Sequence, residues 1–186
     1  MKATNALLVR ATICSVLFSA TLVFAAPKES DAGIERCRAL AQTCNDALVS
    51  EDYATFAKCT HPKVVKALGG PEGMAKFLRS GREKMRTEGA DFLSGTVEAP
   101  SELIPAGKLL VAILPTTITM KVPGGKLVKR SHLIGISRDR GRHWTFIDRE
   151  GLNADNLKQF VPGLPARVQL PDRQEAVFEP LKSGSN

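Results

Sequence analysis

The sequence predicts an α+β domain in which N-terminal helices pack on a curved antiparallel β-sheet, a cone-shaped arrangement. Up to Gly89, apolar residues recur every three or four positions, which is the period of an amphipathic helix. After Gly89, they lie in runs typical of strands, separated by short turns. About 160 residues follow position 25, enough for one hydrophobic core. We therefore expect a single domain over residues 26–161 and a proline-punctuated tail over 162–186.

The first 25 residues have the pattern of a secretory signal peptide. Lys2 and Arg10 precede an apolar run over 11–24 that is shorter than the roughly 20 residues of a membrane span. Val23 and Ala25 suit a signal peptidase, so cleavage is predicted after Ala25. The alternative is an uncleaved anchor, but no basic residue follows the run at once to stop transfer. We expect a periplasmic or secreted protein without membrane attachment after processing.

The net charge of the chain is moderately positive. The full chain carries 26 basic and 19 acidic residues, a charge of +7, and cleavage would leave 24 basic residues and a charge of +5. We interpret this excess of basic residues as a basic surface that is exposed to solvent. The alternative is that the basic residues bind an anionic surface or ligand.

Three helices are predicted before Gly89. Ser30 or Asp31 can cap the first, whose buried face carries Ile34, Cys37, Ala41, Cys44 and Leu48. Ser50 can cap the second, which His61-Pro62 interrupts before the stop at Gly69-Gly70. Pro71 suits the first turn of the third, which ends near Gly89.

The remaining elements are strands joined as an antiparallel meander. They are predicted over residues 92–98, 109–122, 126–137 and 143–148, with a short piece around 103–104. Pro123-Gly124-Gly125 forms a tight turn, and Pro115 marks a bulge or an edge because it lacks an amide hydrogen. A short helix near 155–160 precedes the tail.

The three cysteines of the processed chain restrict disulfide formation. Cys37 and Cys44 are separated by about 10.5 Å along a predicted helix, whereas bridged Cα atoms lie within about 7 Å. A chain reversal near Ser50 would bring Cys44 opposite Cys59. We therefore predict a Cys44–Cys59 disulfide, worth roughly 3 kcal/mol. The alternative is three buried free thiols.

The order of elements resembles the nuclear transport factor 2-like superfamily over roughly residues 31–150. The resemblance includes the stretch from Tyr53 to Gly73, with Cys-Thr-His-Pro at 59–62 and Gly-Gly-Pro-Glu at 69–72. It implies the cone fold of scytalone dehydratase-like, ketosteroid isomerase-like and polyketide cyclase-like (SnoaL-like) proteins. Ketosteroid isomerase-like members use a tyrosine and two acids, whereas the only tyrosine here is Tyr53, on a predicted early helix.

Residues 137–144 match the S-x-D-x-G-x-x-W pattern of the Asp box of sialidases. The pattern predicts a hairpin in which Ser137 begins the turn, Asp139 accepts hydrogen bonds from loop amides, and Trp144 packs beneath. Gly141 supplies a backbone conformation closed to other residues. Propellers carry one copy per blade and this chain has one copy in all, so we interpret the motif as structural.

A symmetric hairpin centred on Arg140 predicts a candidate catalytic row. In this register His132 faces Asp148, and counting through the Gly124-Gly125 turn places Thr117 beside His132. A histidine oriented by a carboxylate can transfer protons near neutral pH, and a hydroxyl can position a substrate. The alternative is a structural polar ladder.

Three functions remain open. No metal or cofactor is predicted, because the histidines and cysteines lack ligand spacing and no glycine-rich phosphate loop is present. Nucleic-acid binding is not expected, because aromatic residues are scarce beside the basic hairpins. The favoured function is non-enzymatic binding of a small apolar or weakly anionic molecule. The alternatives are an isomerase, dehydratase or cyclase using His132 and Asp148, and a homodimeric interaction module.

Overall fold

Helices packed on a strongly curled antiparallel sheet form the domain, which confirms the predicted α+β class. The structure, a computed structural model, describes residues 29–181, with side chains over 31–153 and 156–181. The predicted signal peptide and its cleavage site lie outside the described residues. Within residues 29–181, no helix combines the length and apolar character needed to cross a membrane.

Within the described residues, four helices precede the sheet: α1 Glu29–Val49, α2 Tyr53–Cys59, α3 Pro62–Ala67 and α4 Gly70–Thr87. Asp52, rather than Ser50, caps α2 and accepts a hydrogen bond from the Thr55 amide at 3.0 Å. The cap of α3 is His61, whose Nδ1 accepts from the Lys63 amide at 3.2 Å. The break predicted at His61-Pro62 is therefore the junction between α2 and α3.

The sheet contains six antiparallel strands: β1 Asp91–Val97, β2 Ile104–Ala106, β3 Leu109–Val122, β4 Gly125–Ser137, β5 Thr145–Asp148 and β6 Val177–Pro180. Its main order is β1-β3-β4-β5, with β2 beside β3 and β6 beside β4. Pro115 lies in the gap between the β1 and β2 pairings, an edge position. A short 3-10 helix, Arg149–Gly151, and α5, Ala154–Phe160, follow β5. The tail unexpectedly contributes β6.

The two faces of the sheet support separate hydrophobic clusters. The concave face meets α1 through Cys37, Ala41, Cys44, Ala112, Leu114 and Phe146. The opposite face is covered by α5 and the chain after it, and its buried residues include Val111, Ile134, Ile136, Ile147, Leu152 and Leu157. Because side chains alternate along a strand, the face that a polar residue occupies depends on its register.

A buried arginine joins α1, α4 and β1 at one end of the sheet. Arg82 is 6% exposed, and its Nε donates to Asp91 Oδ1 at 2.7 Å. Its Nη1 donates to the carbonyls of Leu48 and Val49, at 3.1 and 2.8 Å, which lie at the end of α1. Arg86 pairs with the same aspartate at 2.8 Å and with Glu51.

The predicted Cys44–Cys59 disulfide is not formed, because Cys37, Cys44 and Cys59 are all free thiols. The hairpin of α1 and α2 does bring Cys44 and Cys59 close enough for their thiols to interact, but not to bonding distance. This interaction, followed by burial, raises the pKa of Cys44. The same interaction lowers the pKa of Cys59, although burial opposes that change. Burial alone raises the pKa of Cys37 to about 12.

Candidate functional site

A recess of about 240 Å³ lies between the helices and the concave face of the sheet. Its walls are mainly apolar and include Leu48, Phe56, Met74, Ile118, Leu133 and Phe146. Since a water molecule occupies about 30 Å³ in the liquid, the volume equals that of about eight waters. A volume of about 240 Å³ is also smaller than the roughly 300–1,000 Å³ of sites for drug-sized ligands.

Three strands place a polar row on the wall of this recess. Thr116 on β3 is directly opposite Ser131 on β4, and both side chains are buried. The Ser131 hydroxyl lies 3.5 Å from Asp148 Oδ1 on β5. The Glu150 amide also donates to Asp148 Oδ1, at 2.7 Å, which fixes the carboxylate at the start of the 3-10 helix.

Asp148 is the ionisable group of this row with a perturbed proton affinity. Its side chain reaches solvent, yet it borders the recess and is surrounded by protein on most sides. Burial raises its pKa, and the hydrogen bond from the Glu150 amide only partly offsets that rise. A carboxyl with a raised pKa in an apolar recess can both hold and accept a proton.

Asn45 lines the same recess and carries an unpartnered donor, Nδ2. It lies on the buried face of α1, is 6% exposed, and its Nδ2 has no hydrogen-bond partner among the described residues. Gly95 on β1 permits this placement, because a Cβ there would lie 2.3 Å from Asn45 Nδ2. A buried amide left unpaired costs about 1–3 kcal/mol, which a ligand acceptor could recover.

The predicted row of Thr117, His132 and Asp148 is not formed. Asp148 faces Leu133, so the β4–β5 register differs by one residue from the prediction, and Thr117 faces Arg130. His132 consequently shares the strand face of Ile134 and Ile136, away from the recess. Burial lowers its pKa, and its Nδ1 is buried without a partner among the described residues.

The positions of two turns account for these shifts. The first connects β3 to β4 through Pro123 and Gly124, so Val122 pairs with Gly125 and the register moves by two residues. The second turn has consecutive residues, Arg140 and Gly141, at φ 60° and 86°. The first turn is centred one residue before Gly124-Gly125, and the second is centred between Arg140 and Gly141 rather than on Arg140. Counting from the predicted centres therefore assigns the wrong partners.

The residues of the Asp-box pattern form the β4–β5 turn. Asp139 Oδ1 accepts hydrogen bonds from the Arg142 and His143 amides at 3.1 and 2.9 Å, and Ser137 Oγ accepts from the Gly141 amide at 2.8 Å. Trp144 is buried, and its Nε1 donates to the Gly141 carbonyl at 3.1 Å. These contacts are all internal to the turn.

The sequence reasoning missed Asn45, Thr116 and Ser131. The helical period could have identified Asn45. It is four residues after Ala41 and three before Leu48, so it lies on the apolar face of α1. Thr116 and Ser131 required the correct register. Within residues 29–181, no three His, Cys, Asp or Glu side chains are grouped so that they could hold a metal ion.

Comparisons of the chain with protein-family models, with curated proteins and with solved structures found no match.

Proposed function

We propose that the protein binds a small, mainly apolar molecule with one hydrogen-bond acceptor in the recess. The observation that carries the proposal is the unpartnered Nδ2 of Asn45 beside an apolar wall. An acceptor on the ligand would satisfy this donor, and the remainder of the ligand would replace water against Leu133, Phe146 and their neighbours.

Cyclohexanone is a suitable probe, because it combines an apolar ring with one carbonyl. In ¹H–¹⁵N spectra we expect millimolar cyclohexanone to shift the Asn45 side-chain amide, and methylcyclohexane to leave it unchanged. Ile118→Phe should block binding by filling the recess. Thr117→Phe, on the other face of β3, is the matched control and should retain it. Unchanged spectra with cyclohexanone would contradict the proposal.

A second candidate function is proton transfer at a carbon next to a carbonyl, with Asp148 as the base. The supporting observation is the raised pKa of Asp148 at the recess. In D₂O, the protein should accelerate deuterium exchange at the α-carbons of cyclohexanone, at a rate that rises as Asp148 loses its proton. Asp148→Asn, which keeps an acceptor for the Glu150 amide, should abolish the acceleration. His132→Gln should not, and an exchange rate that depends on His132 would contradict this assignment.

We further infer that the domain belongs to the nuclear transport factor 2-like superfamily and that the chain is exported. Helices on a half-barrel sheet around a recess support the first inference, and the pattern of residues 1–25 supports the second. Native mass spectrometry of the exported fraction should give a chain that begins at Ala26, in a monomeric or dimeric state. A chain that retains residues 1–25 would contradict cleavage.

A further inference from the structure

A second concave surface of about 920 Å³ lies at the end of the sheet that carries the Asp-box turn. We call it the basic groove. The β2–β3 turn forms one wall, the β4–β5 turn forms the other, and α1 borders it. Its charged residues are Arg36, Lys108, Arg138, Arg140, Arg142 and Asp139.

The five cations of the basic groove are electrostatically uncompensated. None forms an ion pair with a carboxylate within the part of the chain that the structure describes. The one acid of the groove, Asp139, instead uses its oxygens for Ser137, for the loop amides and for the His143 ring. Like charges gathered in one groove repel one another, and a multivalent anion would remove that repulsion.

From this geometry we infer that the basic groove binds a linear acidic polysaccharide through its sulfate or carboxylate groups. Four of the five cations are arginines, whose planar guanidinium groups pair with such anions in a bidentate manner. The groove extends between two turns and is larger than a single small anion requires, which favours a chain with repeated charges. The inference does not depend on the ligand proposed for the recess.

The composition of the groove disfavours two other anionic partners. No aromatic side chain lines it, and Trp144 is buried beneath the turn, so bases have no surface for stacking. The groove also has no exposed large hydrophobic side chain that could insert into a membrane. The exposed large hydrophobic residues of the described chain lie elsewhere: Phe77, Leu93, Val177, Phe178 and Leu181. Predicted export would also bring the protein to acidic polysaccharides of the cell envelope or surroundings.

The test is fluorescence anisotropy of the full chain with a labelled sulfated octasaccharide at 100 mM salt. We expect saturable binding that weakens with added salt, and a double variant, R140Q/R142Q, that binds at least about tenfold more weakly. The matched control, K76Q/K84Q, removes two exposed cations of α4 and should change the affinity less than about twofold.

Four outcomes would overturn the inference. They are no binding of the octasaccharide, an equal loss in both double variants, tighter binding of a single-stranded oligonucleotide or polyglutamate of the same charge, and tighter binding to anionic vesicles. A circular dichroism melt of each variant verifies that it is folded, and the K76Q/K84Q variant shows what a change of net charge alone does.

Discussion

The two ends of the long β3–β4 ladder use basic residues in opposite ways. At the hairpin end, Arg82 and Arg86 pair with Asp91, and Lys126 pairs with Glu179 at 3.0 Å. At the other end, the five cations of the basic groove have no carboxylate partner among the described residues. Basic residues therefore occur at both ends, but only those at the hairpin end pair with carboxylates of the fold.

This difference separates cations that hold the structure together from cations that are free to contact a ligand. Arg82 satisfies carbonyls at the end of α1 and a carboxylate on β1, so three elements depend on one side chain. The groove arginines connect no elements, and the Asp-box turn holds its shape through Ser137, Asp139 and Trp144 instead. The first group should therefore determine stability and the second affinity.

The largest expected effect is at the paired end. Arg82→Met should lower the free energy of unfolding by about 3–5 kcal/mol, because it removes the buried one of the two arginines that pair with Asp91 and takes a donor from two helix-end carbonyls. Urea denaturation measures the loss. Arg86→Gln, at a 45% exposed side chain, is the control and should cost much less. Equal losses in the two variants would remove the distinction between buried and exposed pairs.

The second effect concerns His61, which lies buried near the basic groove. Burial, followed by the charges of Arg138 and Lys63, lowers its pKa from 6.5 to about 4. Between these values the unfolded chain binds the proton and the folded protein does not, so stability falls as the pH falls from 6.5 towards 4. The expected loss is about 3 kcal/mol.

Urea denaturation at pH 7 and pH 4.5 tests this prediction with two histidine variants. His61→Asn keeps an acceptor for the Lys63 amide but does not titrate, so most of the pH-dependent loss should disappear. His143→Asn, whose ring is 90% exposed, should retain the loss. Identical pH dependence in the wild type and His61→Asn would show that other groups cause the acid sensitivity.

The smallest expected effect is at the unpaired end. R140Q/R142Q should change the free energy of unfolding by no more than about 0.5 kcal/mol, because neither guanidinium holds an element in place. Relief of repulsion gives the change a stabilising sign. The same urea experiment measures it, and a loss comparable to that of Arg82→Met would show that these arginines are structural.

Sequence periodicity predicted the helices and strands because burial imposes a period on each of them. It placed the long strands within one residue of β3 and β4, and it located the turn within Pro123-Gly124-Gly125. The recess could not be predicted in the same way. A shift of one residue moves a side chain to the other face of the sheet, so the turn geometry alone excluded His132 and brought in Ser131.

The tail was the other element that periodicity could not supply. Residues 177–180 are exposed at every position, so they show no alternation of buried and exposed residues. This strand pairs with the start of β4, which lies about fifty residues earlier in the chain. The disulfide prediction failed for a related reason. Helix spacing can bring two thiols together, but whether they bond depends on distances finer than sequence spacing specifies.

The β3–β4 hairpin also has a consequence for how the chain folds. Its thirteen residue pairs extend without interruption from a two-residue turn, so each new pair closes only a short loop. The pairings of β2 and β5 are also local in sequence, whereas β6 joins the sheet across about fifty residues. We expect the hairpin to nucleate the sheet and β6 to dock last, so truncation before Val177 should accelerate unfolding and leave the refolding rate unchanged.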